Sequence, residues 1–388
     1  MNLKNKTILL RIDVNSPTLK GKVIDNPRFR ASAETISSLI KQGAKLVLLA
    51  HQGRKGDKDY LQSLEQHAKL LSKHANLKIA YIPDLFGNKA INAVKNLKQK
   101  EAILLENVRN YPEEENPEKA INAYSQLCDN GDLFINDAFS VSHRAQASLI
   151  LPPKFLPSSL SKNCEKELKT AKELSKKLTN SKTLIILGGS KVEDYIELLS
   201  LLKHKQVSFV IAGALGDLIL EAKGYNLGFE LNYLKKQSYY KLKSKVLSIY
   251  EKYKDRSIIP KDLAFNINNK RVEKPLSELP TDSKVLDIGK ETTNEIIKQI
   301  AQSNAIFMKG PLGFTELPGF QTSTLAVLKA ISKKHSFSVL SGGHLATTVQ
   351  HYKINNNFTH ISLAGGAFLS ALLGKSLPGI EAITSFQN

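Results

Sequence analysis

The chain has no tryptophan, two methionines and two cysteines. Cys128 and Cys164 form no metal-ligating spacing and cannot staple a fold of 388 residues, which points to a reducing cytoplasm. Long apolar runs are also missing: none approaches the roughly 18–20 residues needed to cross a bilayer. The start, MNLKNKTILLRIDV, runs from a short apolar stretch straight into Asp13, so no signal peptide is expected. Arginine is scarce as well, with eight against 47 lysines. A chain so biased toward lysine is expected to keep arginine where a flat, two-pronged cation must meet carboxylate or phosphate. Four of the eight, Arg28, Arg54, Arg109 and Arg144, stand beside polar loop residues in the first 150 positions.

The formal net charge is +19. That value speaks to solubility and non-specific association, not to mechanism. The densest basic stretch, residues 234–256, interleaves tyrosines with seven lysines and one arginine, as a base-stacking surface would. Leu242, Val246, Ile249 and Tyr253 fall there at helical spacing, which favours a solvated helix with its lysines outward and no specific nucleic-acid partner. His67 and His74 lie on a helical pattern without evident partners and are read as surface residues. Arg11 and Arg30 are read as packing or pairing residues.

Strand-like runs alternate with helical patterns throughout. The first half offers TILLRIDV, KLVLLAH, KIAYIP, AILLENV and LFINDAF; the second offers TLIILGG, VSFVIAG, KVLDIG, AIFMKG, FSVLSGG and HISLAGG. Continuous apolar strands with helical crossovers imply parallel sheets covered on both faces. The fold class is α/β, with two doubly wound, Rossmann-like parallel-sheet domains joined by a helix and hinge. Three prolines in LPPKFLPSSLSKN (151–163) break the pattern, and a long polar-faced helix follows. The expected divisions are an N-terminal domain over 1–163, an interdomain helix over 164–179 and a C-terminal domain over 180–374. A tail, 375–388, is expected to pack back on the first domain.

Ligands of open parallel sheets bind beyond the carboxyl ends of the strands. In the first half those ends read D-V-N (13–15), H-Q-G-R (51–54), E-N-V-R (106–109) and N-D-A-F (136–139), with His143 and Arg144 beyond. This is a polar cluster suited to a small polyanion. In the second half the ends are glycines: Gly188–Gly189, Gly213, Gly289, Gly310, Gly342–Gly343 and Gly365–Gly366. Glycine corners that open helices suit nucleotide phosphates.

RIDVNSP, HQGR, LLENVR, NDAFSVSHRAQAS, ILGGSKVED, KGPLGFTE, SGGHLATT and SLAGGAFL occur in the order and spacing of phosphoglycerate kinase, and the chain resembles that family over essentially its whole length. The resemblance implies reversible phosphoryl transfer between 1,3-bisphosphoglycerate with ADP and 3-phosphoglycerate with ATP, in glycolysis. It implies a magnesium-bound nucleotide, no membrane and a monomer. It assigns Asp13 and Asn15 to the glycerate, Arg28 to the phosphoryl group in flight, and His51, Arg54, Arg109, His143 and Arg144 to the 3-phosphate and carboxylate. On the nucleotide side it assigns Gly188, Gly189, the catalytic lysine Lys191, Gly213, Pro311, Gly313, the ribose-binding Glu316, and the phosphate-facing Gly342 and Gly343.

Four departures from the family pattern stand on the nucleotide side. The usual magnesium-binding aspartate is His344, followed by Leu345 where a threonine is usual. Tyr195 replaces a second phosphate-contacting lysine, and Lys309 replaces an asparagine. Leu363 and Ala364 replace a threonine and a glycine. A hard ion prefers oxygen ligands, so His344 is a poor substitute for a carboxylate and no protein metal ligand is expected there. Relative to the pattern, Tyr195 removes one positive charge, Lys309 restores one and His344 removes one negative. Lys309 is therefore expected to take over part of the missing lysine's work. Three readings remain open at this point. One is a phosphoglycerate kinase working at full or reduced rate. Another is an impaired paralogue that binds phosphoglycerate or a similar phosphorylated acid in a regulatory role. The third is an RNA- or membrane-surface protein using the basic stretch.

Overall fold

The computed structural model describes residues 2–355 and 357–385. It divides into two compact units, Met1–Ala171 with Gly366–Asn388, and Lys172–Gly365. The last three residues of the predicted tail, 386–388, lie outside the described residues.

The first unit is built on β1 (Thr7–Arg11), α1 (Pro27–Lys41), β2 (Lys45–Leu49), α2 (Glu65–Ala75), β3 (Ile79–Tyr81), α3 (Asn88–Lys95), β4 (Ala102–Leu104), α4 (Pro117–Cys128), β5 (Leu133–Asn136) and β6 (Ser158–Leu160), and α5 (Lys162–Asn180) begins in it and ends in the second. Its six strands run parallel in the order β3-β4-β2-β1-β5-β6. β1 is buried at all five positions, as a strand covered on both faces must be. Ile8, Leu10 and Ile12 pack on one face with Phe29 and Ile36 of α1 and Leu71 of α2. Leu9 packs on the other with Val94 of α3 and Tyr124 and Leu127 of α4. Each such side chain contributes about 1.5–3 kcal/mol when buried. The period-two alternation sends Arg11 to the same face as Leu9.

The second unit follows α5 with β7 (Thr183–Leu187), α6 (Val192–Leu199), β8 (Val207–Ile211), α7 (Gly213–Ala222), α8 (Phe229–Lys236), α9 (Lys243–Tyr253), β9 (Ser257–Ile258), β10 (Asp262–Ile267), β11 (Lys270–Pro275), β12 (Val285–Ile288), α10 (Lys290–Ala301), β13 (Ala305–Lys309), α11 (Thr322–Lys334), β14 (Phe337–Ser341), α12 (Gly343–His351) and β15 (His360–Ser362). Its main sheet is again six-stranded and parallel, β9-β8-β7-β13-β14-β15. Beyond it the chain forms α13 (Gly366–Leu372) and α14 (Pro378–Ser385), which belong to the first unit; Ile383 of α14 joins the cluster around Leu9.

Strand order reverses at β1/β5 in the first unit and at β7/β13 in the second. Each reversal opens a crevice at the carboxyl ends of the strands, and both groups of predicted site residues begin there.

Several sequence expectations need correction. KVLDIG contributes β12, which pairs antiparallel with β10 in a separate three-stranded sheet. The hairpin β10–β11 turns at Asn268–Asn269, both with positive φ, which asparagine tolerates and which sets antiparallel pairing. The segment 151–163 is not only a connector, since it supplies edge strand β6. His67 is fully buried, and its Nε2 bonds Gln52 at 2.9 Å. His74 is paired with Asp25 at 2.8 Å. The basic stretch is not one helix: α8 ends at Lys236 and α9 starts at Lys243, and Val246 and Tyr250, not Tyr253, are its buried residues. Three of its lysines lie over its own tyrosine rings, Lys235 at 5.5 Å and Lys243 at 5.0 Å from Tyr240, and Lys252 at 5.2 Å from Tyr253. Arg11 does pack and pair, fully buried. Both cysteines are free and buried. Among the described residues no helix is long and apolar enough to cross a membrane.

Candidate active site

In the first unit the loops after β1, β2, β4 and β5 carry the predicted polyanion site. Asp13 follows β1; one carboxylate oxygen accepts from the Asn15 amide at 3.1 Å, and the other meets both Ser140 Oγ and the Arg28 guanidinium. Arg28 sits in the first turn of α1, where Asn26 caps the helix by accepting from the Arg28 amide at 2.8 Å. A cation is unfavourable at that positive helix end, and Asp13 offsets it.

Asn15 Oδ1 accepts from the Gly53 amide at 2.8 Å, tying the first loop to H-Q-G-R. Gly53 has φ +62, and a Cβ there would lie 2.5 Å from Tyr60 Cα, so this turn needs glycine. Gln52 uses its whole amide. Its oxygen accepts from the Ser16 amide and from His67, and its nitrogen donates to the carbonyls of Ser16 and Asp59. Arg109 Nη1 donates to Gly53 O at 2.7 Å, and its buried Nε finds no protein acceptor among the described residues. Arg144 Nε donates to His143 Nε2 at 3.3 Å, and Arg54 is exposed. Asn136 and Asp137, by contrast, are structural. Asn136 donates to Ser142 and to Gly379 O, and Asp137 accepts from Thr35 at 3.0 Å.

His51 lies at the centre, 2% exposed. Burial, then Arg11, Arg109, Arg28 and Arg144, hold it well below its ordinary value, so the ring is neutral. Burial also lowers Arg28 and Arg109, each to about 10, and Arg11, then Arg144 and Arg54, add to the effect on Arg109; Arg28 and Arg109 stay charged at neutral pH. Gathering so many guanidinium groups is unfavourable unless an anion joins them. The predicted residues Asp13, Asn15, Arg28, His51, Arg54, Arg109, His143 and Arg144 therefore share one region. Sequence reasoning left out Arg11, Gln52 and Ser140.

In the second unit Gly188–Gly189 leave β7 and Gly310–Pro311 leave β13, side by side. A Cβ on Gly188 would stand 2.2 Å from Pro311 O, and one on Gly310 would stand 2.2 Å from Gly188 O. A Cβ on Gly213 would meet Gly189 O at 2.4 Å. These glycines let three backbone segments touch, and Gly213 buttresses the turn. Gly342, at φ +116, and Gly343 face open space at the start of α12, whose first turn holds no acidic residue. Its free N–H groups suit an anion.

Exposed Lys191 precedes α6, and Asp194 and Tyr195 lie in that helix's first turns. Tyr195 is buried, and its hydroxyl donates to Gly188 O. Lys309 is 5% exposed; its ammonium lies 3.7 Å from the Asp194 carboxylate and 5.8 Å from the centre of the Tyr195 ring. Burial lowers its pKa most, Asp194 opposes that, and Lys191 lowers it further. His344 Nε2 and Glu316 are 3.9 Å apart, both side chains mostly exposed. Gly313 bonds Thr324 Oγ1 at 3.3 Å; Leu345 and Ala364 fill core positions. Sequence reasoning missed Asp194, whose position three residues after Lys191 was the available signal.

A sequence profile of the family described as "Phosphoglycerate kinase" matches residues 1–375. The chain is 35% identical to the phosphoglycerate kinase of Methanosarcina mazei, covering 100% of this chain and 94% of that one. It is 37% identical to that of Methanobacterium bryantii, covering 99% and 95%. The crystal structure of phosphoglycerate kinase from Pyrococcus horikoshii superposes with a TM-score of 0.92 at 33% identity, covering 100% of this chain and 98% of that one. With both crevices built from the family's motifs and the match running nearly end to end, the chain belongs to the phosphoglycerate kinase family.

Proposed function

We propose that the arginine cluster grips 3-phosphoglycerate or 1,3-bisphosphoglycerate, and that the glycine corner holds ADP or ATP with its magnesium. An oxygen of the terminal ADP phosphate attacks the acyl phosphorus. The bond from that phosphorus to the carboxyl oxygen breaks, and carboxylate leaves with the electron pair. No proton moves, so the reaction asks for placement and charge neutralisation rather than a general base. A site of guanidinium groups, one neutral imidazole, lysines and open backbone amides is suited to that task.

In this reading Asp13 and Asn15 orient the glycerate, and His51, Arg54, Arg109, His143 and Arg144 hold its anionic ends. Arg28 and Lys191 neutralise the moving phosphoryl group with the amide of Gly343, and Gly342, whose own amide donates to Ser362 O at 3.0 Å, shapes the turn. Gly188, Gly189, Gly213, Pro311 and Gly313 shape the nucleotide corner, and Glu316 meets the ribose. His344 stands beside Glu316 without a metal-binding role. Lys309 supplies the cation that Tyr195 no longer can. The described residues hold no group of three His, Cys, Asp or Glu fit to ligate a metal. Magnesium is well served by phosphate oxygens and water, so it enters as part of the nucleotide substrate. Membership of the family supports a monomer in the cytoplasm as part of this reading.

The observation that carries this reading is the neutral, buried His51 ringed by guanidinium groups. Calorimetry with 3-phosphoglycerate and with Mg-ADP separately tests it. Arg109→Met should abolish the first heat and spare the second; Lys191→Met should do the reverse. Unchanged 3-phosphoglycerate binding in Arg109→Met would remove the assignment of the first crevice.

A further inference from the structure

We propose that Arg11 is a positioning residue that fixes the tautomer of His51, leaving an Nε2–H donor for an oxyanion of the substrate. Arg11 is fully buried on the β1 face that carries Leu9. Its guanidinium is held on three sides: Nε donates to Ser148 Oγ at 2.8 Å, Nη1 to Ile12 O at 2.6 Å, and Nη2 lies 3.1 Å from His51 Nδ1. Ser148 is anchored in turn by Glu114, to which its hydroxyl and amide donate at 2.6 and 2.9 Å. Glu114, 2% exposed, is thus the counter-charge behind Arg11.

The chemistry of the contact leaves one solution. A guanidinium has only donors and keeps its charge in a protein, so it cannot accept from an imidazole. Nδ1 must therefore be the acceptor and carries no proton. The ring is neutral, because a second proton would add a cation among Arg11, Arg28, Arg109 and Arg144, in a place that already disfavours charge. Its one hydrogen is on Nε2, and Nε2 meets no protein acceptor among the described residues. The opposite tautomer would turn a lone pair toward an arriving anion. Arg11 thus acts through another residue, in the way that a hydrogen bond at one ring nitrogen sets the state of the other.

The inference deepens the reading of His51 as a substrate residue and rests on it. Its test separates the two. In ¹⁵N-labelled protein, two-bond correlations between ring protons and ring nitrogens identify the tautomer, with the His51 signal assigned by its loss in His51→Gln. The native spectrum should show Nε2–H and bare Nδ1 from mildly acid to mildly alkaline pH. A ring that carries its hydrogen on Nδ1, or two hydrogens, overturns the proposal even if no variant folds. The charge-balanced pair Arg11→Gln with Glu114→Gln should mix the tautomers and raise KM for 3-phosphoglycerate about tenfold, with KM for Mg-ATP unchanged. A native tautomer and native KM in that pair also overturn it. A pinned Nε2–H tautomer with an unshifted 3-phosphoglycerate KM in His51→Gln supports the pinning and removes the substrate contact on which its purpose rests.

Discussion

The hydroxyl of Tyr195 donates to the carbonyl oxygen of Gly188, closing the back of the glycine corner where the family pattern has a lysine. The same ring lies beneath the ammonium of Lys309. The two departures are thus one arrangement. An aromatic packs the turn where the family pattern has a lysine, and a buried ammonium beside Asp194 stands on the end of β13.

This arrangement makes the two positions interdependent. Tyr195→Lys alone puts an ammonium into a buried place already occupied by Lys309, so it should lower stability and not raise turnover. Tyr195→Lys with Lys309→Asn, which restores the usual pair, should recover activity lost in either single variant. A double-mutant cycle with no coupling would separate the residues.

Lys309→Ala should lower kcat by about 10²–10³, the usual effect of deleting one preorganised charge partner of a transition state. KM for 3-phosphoglycerate should stay near native. Asp194→Asn should raise nucleotide affinity, since a phosphate would no longer compete with the carboxylate for Lys309. Unaltered kinetics in Lys309→Ala would return that lysine to a structural role.

His67 gives the protein an acid-sensitive point. Burial lowers its pKa from 6.5 to about 4. The unfolded chain therefore binds more protons between those values, and stability falls as pH drops through that window. The full effect is at most about 3 kcal/mol. His67→Gln, which can still donate to Gln52, should flatten this part of the stability–pH curve. Denaturant unfolding at a series of pH values measures it, and an unchanged slope in the variant would contradict the assignment.

Arg28→Ala should leave the fold near native, because Asp13 keeps its bonds from Ser140 and the Asn15 amide. Turnover should drop by about 10²–10³, and 3-phosphoglycerate binding should weaken much less. If binding and turnover fall together, Arg28 serves the ground state.

Much of this was legible because function collects where strands end. Parallel strands buried on both faces give unbroken apolar runs, so the polar residues after them stand out, as Asp13, His51, Arg109 and the paired glycines did. The buried polar residues were harder to place. Arg11 interrupts TILLRIDV inside a strand, and only the folded chain brings Ser148 and His51 to it in place of solvent. His67 follows Leu64 by three positions and precedes Leu71 by four, so its place on the apolar face was readable but was outweighed by its polarity. Lys309 and Asp194 are distant in sequence, and their pairing needed the alignment of β13 beside β7. Asn268–Asn269 signals the β10–β11 hairpin, but the apolar runs around it carry the pattern of parallel strands.

The central claim is that the altered corner, with Lys309 in place of the usual lysine and His344 in place of the usual aspartate, still transfers phosphate. Steady-state turnover of 1,3-bisphosphoglycerate with Mg-ADP, measured for the native protein and for His344→Asp, tests it most directly. The native chain should turn over, and His344→Asp should change kcat by less than about tenfold. A silent native protein whose activity appears only on restoring the aspartate would contradict it.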